Sequence, residues 1–374
     1  MLHHVARRST TKTAGPTPND AANNARETPT RRERRRYGGW RGLAGHTHGS
    51  RIGDHIGDEV LDRQVFHRRR TLQRERFEIG PSAYSAAVPV VIPSTETPAI
   101  SILMVVYGGG ALAIDAVASL VEHTTQPFEV IVVDNASRDD SVVAIREGII
   151  GLSLVAEEKN LGFGGGNNRA AREARAPIMC MLNPDARVTA GWLAPLLDVL
   201  EDPQVGAVAP ALIGADGALQ EAGAMVDHWG YTGPIGTRGF GQPVPEPAGR
   251  RAVDYASAAC LLMRTDVFRS LDGFDPTYRL AYYEDLDLCM RMWERGLQVW
   301  AEPASRVIHL GGGTVTPVVS QALWHHNRSV FLHRWRDELE RRPSFKSGTD
   351  EEIERLWAWR SGEYDHEHHG DSDR

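Results

Sequence analysis

Four apolar runs of strand length lie between residues 100 and 185, separated by stretches of helical periodicity. The first, Ser101-Ile102-Leu103-Met104-Val105-Val106-Tyr107, ends in Gly108-Gly109-Gly110. The second, residues 128–133, ends in Asp134-Asn135-Ala136-Ser137. The third covers residues 152–155, and the fourth, residues 178–182, ends in Asn183-Pro184-Asp185. Strands that are apolar at every position are buried on both faces. The pattern therefore predicts an α/β fold with a mostly parallel central sheet flanked by helices. Ligands on such sheets bind beyond the carboxyl ends of the strands. Tyr107, Asp134 and Asp185 all fall there.

The spacing predicts helices over residues 111–123 and 139–148. A third is expected from 167 to about 175, entered through the loop Asn160-Leu161-Gly162-Phe163-Gly164-Gly165-Gly166-Asn167-Asn168 and stopped by Pro177. Residues 202–250 are rich in Gly and Pro and read as short strands and long loops, with a turn at Asp216-Gly217. An apolar segment follows at 253–264, then helices near 265–271 and 284–295, the latter closed by Gly296. Short apolar segments at 299–301 and 307–309 precede a helix over 318–336.

The flanks differ from this core. Residues 1–95 hold 17 Lys and Arg against 9 Asp and Glu, a net of +8, so the remainder carries −15 of the total −7. They lack sustained periodicity and read as a basic, disordered extension that buries too little apolar surface to offset the ordering of its backbone. A contact with anionic lipid is the functional reading of Arg31-Arg32-Glu33-Arg34-Arg35-Arg36 and Arg68-Arg69-Arg70; a solvated tail is the simpler one. Residues 337–374 form a charged tail. An acidic body argues against a dedicated nucleic-acid-binding domain. Three widely spaced cysteines in apolar surroundings predict buried reduced thiols, and no apolar run is long enough to span a bilayer. A cytoplasmic protein is expected, peripheral to the inner face of the membrane if the basic arm binds lipid.

Several carboxylates stand out. Asp185, beyond a buried strand, is either a ligand for Mg²⁺ or Mn²⁺ or a helix cap. Asp134 is either a partner for a nucleobase or ribose or again a cap. The glycines at 162–166 allow close backbone approach to a ligand at a helix start. They form neither a phosphate loop ending in Gly-Lys-Ser/Thr nor a dinucleotide fingerprint, since Asn167 stands where a third Gly is required. Glu284-Asp285-Leu286-Asp287 opens an amphipathic helix with three carboxylates in four residues. Crowding and burial raise a carboxylate pKa towards the range of a general base. Asp287 also stands four residues before Arg291, the spacing of a helical ion pair. His309 precedes three glycines and is either a ligand to a metal or diphosphate or a core histidine.

In order along the chain, Val-Val-Asp-Asn-Ala-Ser (132–137), Asn-Leu-Gly-Phe-Gly-Gly-Gly-Asn-Asn (160–168), Leu-Asn-Pro-Asp (182–185), Leu-Asp-Gly-Phe-Asp (271–275) and Tyr-Glu-Asp-Leu-Asp-Leu-Cys-Met-Arg (283–291), followed by His309, resemble glycosyltransferase family two, most closely its rhamnosyltransferase-like branch. The resemblance covers about residues 99–335. It implies a single GT-A catalytic domain, placed here at 96–336, and transfer with inversion at the anomeric carbon. It implies a nucleotide-sugar donor held by Tyr107, Asp134, Asn135, Gly162, Gly164, Asn167 and Asp185. It further implies a divalent metal, Mg or Mn, on Asp185 with His309 nearby, and Asp285 as catalytic base. Glu284 and Asp287 would support the acceptor side or the helix start. A glycan or lipid-linked acceptor, and rhamnose as the sugar, follow from the same branch.

The chain departs from the family pattern at three places. Asn183 replaces the first Asp of Asp-x-Asp, Gly108 follows Tyr107 where Asn is usual, and Ala258 stands where Gly usually precedes Ala-Cys. Two other functions compete. A sugar nucleotidyltransferase predicts basic residues directly after the first strand, where Gly108-Gly109-Gly110 is followed by Ala111-Leu112-Ala113. A non-catalytic nucleotide-sugar-binding protein predicts loss of Asp185 or Asp285, and both are present.

Overall fold

A computed structural model describes residues 88–234, 237–238, 242–243, 249–311 and 317–342. The expectations for residues 1–87 and 343–374 lie outside the described residues.

The chain enters with β1 (Val90–Val91) and β2 (Ile100–Val106), followed by helix α1 (Gly110–His123), β3 (Phe128–Asp134), α2 (Ser141–Gly148), β4 (Ile149–Ile150) and β5 (Ser153–Ala156). Val90 and Ile92 are buried, and β1 pairs with β4, so the fold takes in chain ahead of residue 96. Next come α3 (Gly162–Ala171), β6 (Ile178–Leu182), β7 (Ala186–Val188), α4 (Leu193–Leu200), β8 (Val205–Ile213), β9 (Leu219–Glu221) and β10 (Ala224–Val226). Short strands β11 (Thr232–Pro234), β12 (Thr237–Arg238) and β13 (Gln242–Pro243) precede β14 (Arg251–Val253) and β15 (Cys260–Arg264). The described chain closes with α5 (Thr265–Ser270), α6 (Glu284–Glu294), β16 (Gln298–His309), α7 (Pro317–Arg334) and α8 (Arg336–Leu339).

The central sheet runs β14-β16-β8-β15-β6-β2-β3-β5, with β7 on β16 and β9 on β8. It is mixed. Strands β6, β2, β3 and β5 are parallel, as the sequence pattern implies, and so are β8 and β16. Antiparallel β15 joins the two parallel groups. The period of two explains why these strands are apolar throughout. Ile102, Met104, Val106, Val130 and Val132 enter one core with Ala113, Ala116, Val117 and Leu120 of α1. Leu103, Ile131 and Val133 enter a second core with Ala170 and Ala171 of α3 and Leu288, Cys289 and Met292 of α6. Cys180, Cys260 and Cys289 are buried and free, as expected.

Three elements differ from the sequence reading. Helix α3 begins at Gly162 rather than at 167, so the glycine string is helix and not loop. Glycine disfavours helix by about 1 kcal/mol per residue, and only tertiary packing reverses that preference. A Cβ at Gly162 would lie 2.7 Å from the Leu280 backbone, at Gly164 2.9 Å from the Phe274 side chain, and at Gly166 2.6 Å from Val105. The glycines thus let the helix press against the sheet and the chain before α6. Second, the stretch read as short strands and loops contains β8, nine residues buried throughout. Third, the segments at 299–301 and 307–309 form one strand, β16, with an irregularity between Glu302 and Arg306 that accommodates Pro303.

Candidate active site

Asp134 ends β3 and Asp185 follows β6, so two acidic groups stand at the ends of the strands on either side of β2, with Tyr107 directly after β2 itself. Neither Asp caps a helix: α2 is preceded by Asp140 and α4 by Trp192. Asp134 Oδ2 accepts the Ser137 amide at 3.0 Å, while its buried Oδ1 has no hydrogen-bond partner among the described residues. A buried carboxylate oxygen without a donor costs free energy, and a ligand NH or OH would relieve it.

Asn135, buried beside it, donates to Gly162 O at 2.9 Å and accepts from Leu161 N at 3.2 Å. Its amide therefore ties the end of β3 to the start of α3. Asn167 donates to Phe163 O within the same helix, and Gly164 faces Phe274 and Glu284. In the turn after β2, the amides of Gly108, Gly109 and Gly110 donate to Ser137 Oγ, Asp139 Oδ2 and Ser141 Oγ.

Antiparallel pairing of β7 with β16 sets His309 opposite Ala186, which brings its ring to Asp185. His309 Nε2 lies 3.4 Å from Asp185 Oδ1 and 3.5 Å from Asn183 Nδ2. Gln220, on β9, decides the tautomer. Its Nε2 donates to His309 O at 2.8 Å, so its Oε1 faces His309 Nδ1 at 3.1 Å. An amide oxygen there requires a proton on Nδ1. In the neutral ring the lone pair of Nε2 then faces a carboxylate oxygen. Two acceptors set face to face suit a shared cation, and a nitrogen and a carboxylate suit a divalent metal that completes its shell with water and phosphate oxygens. No cluster of three or more potential metal ligands occurs among the described residues.

Asp285 lies in the first turn of α6 and is half-buried. Its Oδ2 accepts from Tyr255 OH at 3.0 Å and Ala258 N at 3.2 Å, and its Oδ1 from Leu286 N at 2.9 Å. Burial raises its pKa against the pull of these donors. Glu221 is close enough to feel the Asp285 charge. Burial pushes the Glu221 carboxyl up to about 7; the Ser257 amide and His309 oppose the shift, and Asp285 adds to it. Glu284 is buried against Gly164, its Oε2 without a partner among the described residues, and burial followed by the Asp285 charge holds its pKa well above the usual range.

Asp287 is fully buried and serves the scaffold. Its Oδ2 accepts from Arg291 Nε at 2.7 Å and its Oδ1 from Trp335 Nε1 at 3.0 Å and Tyr278 OH at 3.1 Å, while Arg334 Nε forms an ion pair with Oδ1 at 3.2 Å. The i,i+4 pair expected from sequence is present. The three carboxylates thus part: Asp285 faces the Tyr255–Ala258 loop, Glu284 packs on α3, and Asp287 binds α6 to the chain around α7 and α8.

The chain before α6 is strained. Leu280, Tyr282 and Tyr283 have positive φ of 58, 80 and 70°, each disfavoured for a residue with a Cβ. Asn327 of α7 holds this segment, donating to Arg279 O, Ala281 O and Tyr282 O at 2.9–3.0 Å. Sequence reasoning missed Asn327, Gln220, Glu221 and Tyr255. Their partners lie 30 to 89 residues away, so no local pattern marks them. The turn at Asp216-Gly217 was the available signal for the two β9 residues, since it folds β9 back on β8.

Comparison with known proteins bears on the family and the fold. Residues 101–269 match the family described as Glycosyl transferase family 2. The O-antigen biosynthesis protein RfbC of Myxococcus xanthus is 31% identical over 238 residues, covering 62% of this chain and 18% of that protein. The N-acetylglucosaminyl-diphospho-decaprenol L-rhamnosyltransferase of Mycobacterium tuberculosis is 27% identical over 259 residues, covering 63% of this chain and 84% of that enzyme. Among curated relatives the shared span is thus a small part of RfbC, and it is 36% of an uncharacterized protein of Sinorhizobium fredii. The crystal structure of GalNAc-T7 with UDP, GalNAc and Mn²⁺ superposes with a TM-score of 0.50 at 15% identity, covering 66% of this chain and 50% of that one, a likeness of fold. Residues 101–269 thus carry the match to glycosyl transferase family 2, and the chain has a GT-A-type α/β fold.

Proposed function

We propose that the chain transfers a sugar from a nucleoside-diphosphate donor to a hydroxyl of a glycan or lipid-linked acceptor, with inversion at the anomeric carbon. The observation that carries this reading is the placement of Asp285 and the Asp185–His309 pair around one loop. Asp285 is bonded to Tyr255 and Ala258, and two residues of β9 link that loop to His309. Rhamnose as the sugar is supported by the name of the mycobacterial relative.

The chemistry assigns each group one task. Asp285 takes the acceptor hydroxyl proton as the acceptor oxygen bonds to the anomeric carbon. The bond from that carbon to the diphosphate breaks on the opposite face, and the nucleoside diphosphate leaves with the electron pair. Tyr255 OH and the Ala258 amide orient the carboxylate. Burial raises the pKa of Asp285, which strengthens it as a base. Asp134 Oδ1 binds the nucleotide, with Tyr107 beside it. Asn135, Gly162, Gly164 and Asn167 shape that pocket from behind. Asp185 and His309 Nε2 fit a divalent ion, Mg²⁺ or Mn²⁺, which when bound would offset charge on the leaving diphosphate.

A nucleotidyltransferase is disfavoured because the Gly108–Gly110 amides are already engaged by Ser137, Asp139 and Ser141. No helix among the described residues is long and apolar enough to cross a membrane. Contact of the basic N-terminal segment with anionic lipid is a separate proposal. Cosedimentation of the full chain with phosphatidylserine vesicles tests it, and equal recovery with neutral vesicles would refute it. The transferase reading is tested by screening nucleotide sugars for hydrolysis with Mn²⁺ or Mg²⁺. One donor should be consumed, and chelation should stop the reaction. Consumption of none, or no response to chelation, would overturn the reading.

A further inference from the structure

Glu221 has no role in the scheme above, yet its contacts tie it to both halves of the site. On β9 it follows Gln220, the residue that orients His309. Its Oε1 accepts the Ser257 amide at 3.0 Å, and the next amide, Ala258, donates to Asp285 Oδ2 at 3.2 Å. Two carboxylates therefore hang from consecutive amides of one turn. The same turn reaches the metal side: Ser257 Oγ accepts from Ala259 N, and Ala259 O accepts from Asn183 N. Glu221 is half-buried, and its Oε2 makes no hydrogen bond among the described residues.

A structural anchor for Ser257 needs one neutral acceptor oxygen, which glutamine supplies. A carboxylate there is opposed by burial and by the neighbouring Asp285 charge, the causes that push it up to about 7. Such an arrangement is accounted for when the second oxygen serves a ligand. The side it serves follows from the topology. The nucleotide-facing groups lie at β2 and β3, whereas Glu221 shares the Ser257–Ala258 turn with the group that receives the acceptor proton.

We propose that Glu221 is a substrate-binding residue whose Oε2 accepts a hydrogen bond from a hydroxyl of the acceptor sugar, adjacent to the hydroxyl that Asp285 deprotonates. Two carboxylates on adjacent amides match two neighbouring hydroxyls of one pyranose ring. The proposal rests on the transferase reading and deepens it by assigning the acceptor subsite to a polyol.

The test uses the full chain with Mn²⁺, deoxythymidine-diphospho-rhamnose as donor and octyl glycosides of N-acetylglucosamine, glucose, galactose and rhamnose as acceptor probes. Glu221→Gln keeps an oxygen for Ser257 and replaces Oε2 with a donor. It should raise the KM for the accepted glycoside about tenfold or more, the loss expected for a charged hydrogen bond, with a smaller fall in kcat. Glu221→Ala, which also frees the turn that holds Asp285, should lower kcat as well. An unchanged KM in Glu221→Gln would reduce Glu221 to an anchor and overturn the proposal. Saturation-transfer NMR of the same glycosides, with deoxythymidine diphosphate and Mn²⁺, needs no turnover. Binding to wild type that weakens in Glu221→Gln supports the proposal even if this donor is not consumed; equal binding to both, or binding to neither, overturns it.

Discussion

Replacing Asp287 should cost the fold far more than replacing Asp285, although the two are separated by one residue. Asp287 is 0% exposed, accepts hydrogen bonds from Arg291, Trp335 and Tyr278, and forms an ion pair with Arg334. In Asp287→Ala, Arg291 keeps its bonds to Leu271 O and Gly273 O but loses its counter-charge, and Arg334 keeps Asp275. The Tyr278 hydroxyl and the Trp335 indole NH are left without an acceptor in a dry site. Breaking a buried ion pair from one side costs roughly 3–5 kcal/mol, and relaxation around the small cavity keeps the total near that range. We expect about 4 kcal/mol for Asp287→Ala, a large share of the ~5–15 kcal/mol that holds a typical domain together. Asp285→Asn removes a carboxylate whose ionisation burial already opposes and should change stability by less than about 1 kcal/mol. Urea unfolding of both variants, with fluorescence and circular dichroism as coincident probes, reads the difference as a shift in midpoint at unchanged slope. A loss under about 1 kcal/mol for Asp287→Ala would refute the scaffold role.

Three further outcomes follow from the same contacts. Asn327→Ala leaves the Ala281 and Tyr282 carbonyls without a donor beside the strained residues 280–283, while Arg279 O keeps the Ala281 amide; a loss of roughly 2–4 kcal/mol is expected in urea unfolding, and a neutral result would show that the strain is held elsewhere. The Glu221 pKa rises from 4.5 to about 7 on folding, so its stabilising contribution is present below pH 4.5 and is lost as pH rises through 7. In EDTA, wild type should therefore lose at most about 3 kcal/mol relative to Glu221→Gln between pH 4.5 and 8, and a constant difference would contradict the shift. Asp185→Asn and His309→Ala should each weaken Mn²⁺ binding in the presence of nucleoside diphosphate by tenfold or more, measured by calorimetry; unchanged binding would remove both residues from the metal.

The parallel core was legible because burial on both faces writes itself into every position of a strand, as in residues 101–106. The strand ends then placed Asp134 and Asp185 without further information. Helix α3 was not legible at its start, because Gly162, Gly164 and Gly166 oppose helix locally and gain it only by contact with Leu280, Phe274 and Val105. The division of labour among Glu284, Asp285 and Asp287 was only partly legible. Helical spacing separates Asp285 from the other two, but the partners that define each role come from Tyr255, Ala258 and Trp335, far along the chain. Gln220 and Glu221 were invisible for the same reason: a three-residue strand carries no periodicity, and its importance arises when β9 folds back on β8 between His309 and the Ser257–Ala258 turn.

The central claim is that Asp285 accepts the acceptor proton beside a metal held by Asp185 and His309. Its most direct measurement is the turnover of the accepted nucleotide sugar by wild type and Asp285→Asn, each with Mn²⁺ and with EDTA, with folding of the variant verified by its unfolding midpoint. The account predicts metal-dependent turnover in wild type and a fall of about 10²–10⁴-fold in the folded variant. Turnover by Asp285→Asn at the wild-type rate would contradict it.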